Sequence, residues 1–131
     1  MAIGLAASPV ANAMLDLFGN ASSSGYSTPF VKLHTGDPGS AGTTNASAET
    51  TRKALTFSAA SAGSKSATGS PVASWASWTA GTETITHLSI WTASTAGTFL
   101  GSVALSASKT VNNTDTLNLT ALTLSISTLA A

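Results

Sequence analysis

Hydrophobic residues recur at every second position in several short runs of the chain. In FVKLH (residues 30–34), Val31 and Leu33 lie on one face of an extended backbone. TITHLSIW (residues 84–91) repeats this period of two, which is the pattern of half-buried β-strands. Similar runs occupy residues 52–58, 97–105 and 116–127. The pattern predicts an all-β protein, with strands between about residue 28 and residue 127, folded as an antiparallel β-sandwich or a jelly-roll-like domain.

The segments between these runs are rich in glycine, serine, asparagine and proline, and are predicted to be turns. SAGSKSATGSP (residues 61–71) is one of them. Within the last run, the alternation changes parity between Leu119 and Leu122, which predicts a bulge or tight turn near Thr120 and Ala121. The chain shows no internal repeat and no linker, so residues 1–131 are expected to form one domain.

One amphipathic helix is predicted near the N-terminus, from about residue 8 to residue 19. Ser8 can cap its first turn, Pro9 suits the first helical position, and Gly19 is a typical helix stop. The apolar stripe of this helix contains Val10, Met14, Leu17 and Phe18. A helix this short is marginal in water, so we expect it to pack on another surface.

Charge and composition exclude several kinds of partner. Only 8% of the residues are charged, against about 25% in typical proteins. The five basic residues are scattered, so we expect no nucleic acid partner, which would require a basic patch. No apolar run reaches the roughly 20 residues that cross a bilayer, so no membrane span is expected either. The net charge of zero favours association with other chains.

The segment VKLHTGDPG (residues 31–39) could hold a metal ion or form a sharp turn. Pro38 fixes φ, Gly39 can adopt a positive φ, and Asp37 can accept a hydrogen bond from the backbone two residues on. A metal site would need ligands besides His34 and Asp37, and no histidine or carboxylate stands at a ligand spacing. We therefore expect a turn, with no metal and no cofactor.

Catalytic motifs are missing from the sequence. There is no phosphate-binding G-K-[ST], no G-x-S-x-G and no cysteine, and the five acidic residues are scattered. The chain is therefore expected not to be an enzyme, and no catalytic residue is assigned. Trp75, Trp78 and Trp91 could pack in the core or form a surface platform for sugars. Core packing is favoured, and a carbohydrate-binding module stays an alternative.

Three segments carry a resemblance to a known family. FVKLHTGDPGSAGTTNAS, TRKALTFSAAS and TITHLSIWTASTAGTFLGSVALSASKTVNNTDTLNL resemble small bacteriophage virion structural proteins with an LHTGDPG motif. Such proteins are described as minor tail, tail-fibre-like or head-decoration components. The resemblance spans nearly the whole chain and implies a non-enzymatic protein of the virion, assembled in the cytoplasm of the bacterial host.

Together, the residues and the resemblance predict a capsid decoration protein that docks on a repeating shell lattice. A minor tail or tail-fibre-like protein is the alternative. The expected partners are major capsid or tail proteins of the same virion and copies of this chain, with a trimer as one arrangement. The candidate contact residues belong to the helix and to the loop after the first strand: Val10, Met14, Leu17, Phe18, His34, Asp37 and Pro38.

Overall fold

The computed structural model describes residues 10–19 and 26–127. These residues form one short helix and nine strands. In chain order they are α1 (Asn12–Leu15), β1 (Phe30–His34), β2 (Lys53–Ala54), β3 (Thr56–Phe57), β4 (Ser64–Thr68), β5 (Ala73–Trp75), β6 (Glu83–Trp91), β7 (Phe99–Val111), β8 (Leu117–Leu119) and β9 (Thr123–Ser125). The strands of the two larger sheets pair antiparallel, so the predicted all-β class is confirmed. No helix in the described residues is long and apolar enough to cross a membrane.

The chain divides into two compact units. One contains the described residues up to Thr28, then Leu55–Val72, and the residues from Leu119 onward. The other contains Pro29–Ala54 and Ala73–Asn118. The sandwich arrangement and the single domain over residues 1–131 stay predictions.

The second unit is built on a four-stranded sheet with the strand order β2-β1-β6-β7. In β1, Val31 and Leu33 are buried, as the alternating pattern predicts. The end of β6 is buried on both faces, because Leu88 and Ile90 alternate with Ser89 and Trp91 and all four side chains are inaccessible. The middle of this sheet therefore carries the core of the unit.

Strand β7 lies at the edge of this sheet and contains a large bulge. Ile85 pairs with Lys109 and His87 with Ala104, so residues 105–108 stand opposite Thr86 alone. The predicted alternation of this run fails here, since Val103 is 41% exposed instead of buried. Bulges bend a sheet edge and disrupt the regular row of backbone groups that another strand would need.

The first unit contains a three-stranded sheet with the order β3-β4-β9. Its central strand β4 lies within residues 61–71, where the sequence predicts only turns, so that prediction is wrong. The strand is polar because one side holds the buried Lys65 and the other side carries hydroxyl groups. Those hydroxyls pair across the strands, Thr68 with Thr56 at 2.7 Å and Ser66 with Thr123 at 3.2 Å.

Two of the predicted strand runs are interrupted in the structure. The run at residues 52–58 breaks at Leu55, which is fully buried, and its two halves become β2 and β3 in different sheets. The last run breaks between Leu119 and Thr123, where β8 ends and β9 begins. The interruption predicted from the change of parity is therefore confirmed.

The N-terminal helix is much shorter than the prediction of residues 8–19. Of that range, Ser8 and Pro9 lie outside the described residues, and α1 ends at Leu15. Beyond it the backbone pairs with Tyr26: the amide of Gly19 donates to the Tyr26 carbonyl at 2.7 Å, and the Tyr26 amide donates to the Leu17 carbonyl at 2.6 Å. Phe18 thus forms a parallel bridge with Tyr26, and this pairing is incompatible with a continuing helix.

An ion pair fastens α1 to β4. The Lys65 ammonium lies 2.8 Å from Asp16 Oδ1, with side chains 1% and 28% exposed respectively. The same oxygen accepts a hydrogen bond from the Ala60 amide at 2.9 Å. The hydrogen bond from Lys65, followed by that from Ala60, lowers the pKa of Asp16. The carboxylate therefore neutralises an ammonium that is otherwise out of contact with water.

We expect Asp16→Asn to destabilise the protein by about 3 kcal/mol, because it leaves the charge of Lys65 buried without its partner. The depressed pKa of Asp16 stabilises the fold above the carboxyl's ordinary pKa, and this contribution is lost as pH falls through the lower folded value. Urea denaturation of both proteins at neutral pH, and again in acid, measures the two effects.

The double variant Asp16→Asn with Lys65→Met is the control, since it removes the uncompensated charge along with its partner. It should recover most of the lost stability, because replacing a whole buried pair by apolar groups is often neutral. Equal stabilities of the single and double variants would show that the ion pair does not hold α1 in place.

Candidate functional site

The loop after β1 is closed by hydrogen bonds at its base. The Thr35 amide donates to the Asn45 carbonyl at 2.9 Å, and the Ser47 amide donates to the Leu33 carbonyl at 3.1 Å. Across the loop, the Asn45 amide group donates to the Asp37 carbonyl at 3.0 Å. Residues 35–46 thus return antiparallel to β1 and form a fixed corner of the second unit.

Two features predicted for the TGDPG segment within this loop are present. The Gly39 amide donates to Asp37 Oδ1 at 2.9 Å, two residues on, and Gly39 has a φ of +71°. The backbone hydrogen bond that closes the turn lies slightly further along the chain, where the Gly42 amide donates to the Gly39 carbonyl at 3.1 Å. The corner interpretation is confirmed, and Pro38 is fully buried within it.

His34 links this loop to β6 through a buried polar network. Its Nδ1 lies 2.9 Å from the Thr44 carbonyl oxygen, and its Nε2 lies 2.7 Å from Ser89 Oγ. A carbonyl only accepts, so Nδ1 carries a proton and donates to Thr44. Burial lowers the pKa of His34, which favours the neutral ring, and Nε2 of that ring accepts from the Ser89 hydroxyl. The Trp91 indole donates to the same Ser89 oxygen at 2.7 Å. The ring is therefore neutral, with both nitrogens engaged.

The Ser89–His34 pair has the spacing of a nucleophile and its base, but its surroundings do not suit catalysis. Both side chains have no exposed surface, so a substrate cannot reach the serine. Metal binding at His34 would require a ring lone pair, and the Ser89 hydroxyl occupies it. Among residues 10–19 and 26–127, no three His, Cys, Asp or Glu side chains are placed to share a metal ion.

All five carboxylates of the chain accept a hydrogen bond from a backbone amide. The pairs are Asp16 with Ala60, Asp37 with Gly39, Glu49 with Thr51, Glu83 with Ala48 and Asp115 with Asn112, at 2.8–3.0 Å. Each pair fixes a turn or a loop end. The acidic groups, which are the usual sources of general acids and bases, thus fix the backbone.

The three tryptophans are buried, so the alternative of a carbohydrate-binding module with surface tryptophans is wrong. The indole of Trp75 donates to the Thr51 carbonyl and that of Trp78 to the Gly81 carbonyl. Stacking on a sugar requires an exposed ring face, which these side chains lack. The favoured prediction of core packing is confirmed.

Trp91 also organises the connection between β6 and β7. The guanidinium carbon of Arg52 lies 4.0 Å from the centroid of its ring. The same guanidinium donates to the carbonyls of Ala93 and Ala96, at 2.8 and 2.6 Å. Arg52 thus closes the hairpin turn, as the acidic side chains close other turns.

Helix α1 and the residues that flank it expose part of their apolar surface to solvent. Its polar side chains face the protein: Asn12 Oδ1 accepts from the Gly63 amide at 2.8 Å, and Asp16 binds Lys65. The apolar side chains of Ala11 and Leu15 complete the buried side. The apolar side chains of the predicted stripe are the exposed ones, with Val10 at 41%, Met14 at 47% and Leu17 at 43%.

The structure exposes some of the residues predicted to contact a partner and buries others. Val10, Met14 and Leu17 are exposed, and half-buried Phe18 makes an edge-to-face contact with Tyr26, at 6.2 Å between centroids. Tyr26 is itself 43% exposed and was not among the candidates, because it stands outside any periodic run. Of the loop candidates Asp37 is exposed, while His34 and Pro38 are buried and offer no surface to a partner.

Comparison with known families gives one match, over residues 6–127, to a family described as "Podophage GP4 fiber I protein gp80". The chain belongs to this family. It is therefore a bacteriophage structural protein and a component of the virion, as the resemblance implied. No curated protein matches the chain. The LHTGDPG motif as a mark of the gp80 family stays a prediction.

We expect Gly42→Ala to destabilise this gp80-family protein by at least about 2 kcal/mol, from left-handed strain plus overpacking. Gly42 has a φ of +70°, and an added Cβ would clash with the Phe99 ring. Gly81→Ala is a matched control, because Gly81 has a φ of +84° with nothing within 4 Å. It should cost only about 1 kcal/mol. Equal losses of thermal stability in the two variants would contradict tight packing of the loop at Gly42 against Phe99.

The buried His34 predicts a stability that depends on pH. Burial lowers the pKa of His34, and the positive charge of Lys32 and neighbouring His87 act in the same direction, while the Thr44 and Asn45 carbonyls oppose them. The unfolded chain therefore takes up the proton first. The contribution of neutral His34 to the stability of the fold should be fully present above about pH 6.5, the usual histidine pKa. It should decrease as pH drops below that value.

Denaturation midpoints between pH 8 and pH 5 measure this effect. His34→Gln should remove the slope in that window, whereas Ser89→Ala should keep it, because the ring that titrates is still present. A His34→Gln protein with the same slope as the wild type would assign the pH dependence to another group.

Proposed function

We propose that this chain is a non-enzymatic structural component of the phage fibre. The observation that carries the proposal is the family match, which extends over residues 6–127 and so covers both compact units. The family is described as a fibre protein. A match of this extent includes the four-stranded and the three-stranded sheet, and is not confined to one motif.

The use of polar groups supports a structural role. All five carboxylates, Arg52 and Lys65 are engaged in holding turns, the hairpin or the helix in place. His34 is enclosed and neutral in its network. A protein whose few ionisable groups stabilise one fixed shape is suited to presenting a surface within an assembly.

The sequence alone favoured head decoration, because the chain is small and lacks a fibrous shaft. The description of the family favours the fibre instead. A small β-rich unit can serve in a fibre as an adaptor or as one element of a larger assembly. Its partners would then be other tail or fibre proteins of the virion and copies of itself.

Immunogold electron microscopy of intact virions tests the location. Antibodies raised against the purified chain should place gold particles on the fibres of the phage that encodes it. The same serum, absorbed beforehand with the purified chain, is the control for specific labelling. Gold distributed over the head would overturn the fibre assignment and favour head decoration.

A further inference from the structure

The ring of His34 lies between the four-stranded sheet and the loop after β1, residues 35–46, which we call the corner loop. The side chain has no exposed surface. Its Nδ1 donates to the Thr44 carbonyl in the corner loop, and its Nε2 accepts from the Ser89 hydroxyl in β6. The same ring thus connects the loop to the sheet, and its protonation state affects both.

A proton on Nε2 would disrupt this buried network. It would turn the only acceptor of the ring into a donor. The Ser89 hydroxyl would lose the acceptor that it has now, while its oxygen already accepts from the Trp91 indole. The new positive charge would also lie out of contact with water, which is costly unless a carboxylate pairs with it. The charged ring therefore favours an arrangement in which water reaches it.

The charged groups around the ring do not compensate a positive charge. The carboxylates of Asp37 and Glu83 are bound to backbone amides in the corner loop and just after it. Lys32 and His87 both act against a further positive charge on the ring. The titratable groups on β1, on the corner loop and on the strands that flank β1 are Lys32, Asp37, Lys53, Glu83 and His87, with Arg52 directly before β2.

The corner loop is held less firmly than the strands beside it. One backbone hydrogen bond joins its ends, from the Thr35 amide to the Asn45 carbonyl, and another joins Ser47 to Leu33 of β1. By contrast, β1 and β6 pair over all five residues of Phe30–His34. Moving the loop therefore breaks fewer hydrogen bonds than separating the two strands, and it suffices to bring water to the ring.

The corner loop also has hydrogen bonds of its own that do not involve the sheet. The Gly42 amide donates to the Gly39 carbonyl at 3.1 Å, and the Thr44 amide donates to the Pro38 carbonyl at 3.0 Å. These bonds can persist while the loop moves away from the sheet. We propose that protonation of His34 releases the corner loop from the sheet while β1 and β6 remain paired.

Amide hydrogen exchange followed by NMR tests the proposal, with rates converted to protection factors to remove the intrinsic effect of pH. The amides of Thr35 and Ser47 lose their partners on release. Their protection factors should fall about tenfold between about pH 7.5 and pH 5.5, because a histidine exposed by the release has a pKa of about 6.5. Release exposes little surface, so these two factors should not change in about 1 M urea, whereas those of β6 should fall.

The two histidines of the chain provide matched variants. His34→Gln should abolish the dependence of the Thr35 and Ser47 protection factors on pH. His87→Gln should retain it, because the half-buried His87 ring is bonded to the neighbouring Thr86 and not to the corner loop. Equal behaviour of the two variants would overturn the proposal, as would unchanged protection in the wild type.

The comparison in urea needs the wild-type chain alone, so it applies even where His34→Gln does not fold. If the amides of Thr35 and Ser47 respond to urea as strongly as those of β6, the whole unit opens and the proposal is wrong. The experiment uses the purified chain, so its outcome is independent of where the protein lies in the virion.

Discussion

The hydrogen bond from a backbone amide to a side-chain carboxylate is the interaction on which most of this structure depends. Seven of the nine strands in the described residues have at most five residues, so much of the backbone between them has no strand partner to fix it. A charge-assisted hydrogen bond is roughly twice as strong as a neutral one. The chain has five carboxylates and uses each in this way, at Asp16, Asp37, Glu49, Glu83 and Asp115. The chain thus has few charged groups, and its carboxylates lie where the backbone would otherwise lack a partner.

The buried network around His34 likewise fixes the backbone of the second unit through side-chain hydrogen bonds. Thr44 in the loop, His34 in β1, and Ser89 and Trp91 in β6 are joined through donors and acceptors that are all satisfied. Arg52 then covers Trp91 and binds the hairpin turn. One continuous set of contacts therefore fixes both the loop after β1 and the turn after β6. Since a buried polar group is costly when it loses its partner, this set specifies a single conformation for both.

Sequence reasoning succeeded where the local pattern decides the structure. The alternation of β1 and the turn chemistry of Asp37 and Gly39 depend on neighbouring residues, and both were predicted. It failed for β4, whose polar residues become a strand only because β3, β9 and Asp16 provide partners from distant parts of the chain. The sequence did not decide which way the stripe of α1 faces. The spacing of Val10, Met14 and Leu17 identifies an apolar stripe, but its outward direction is set by Lys65, 49 residues beyond Asp16.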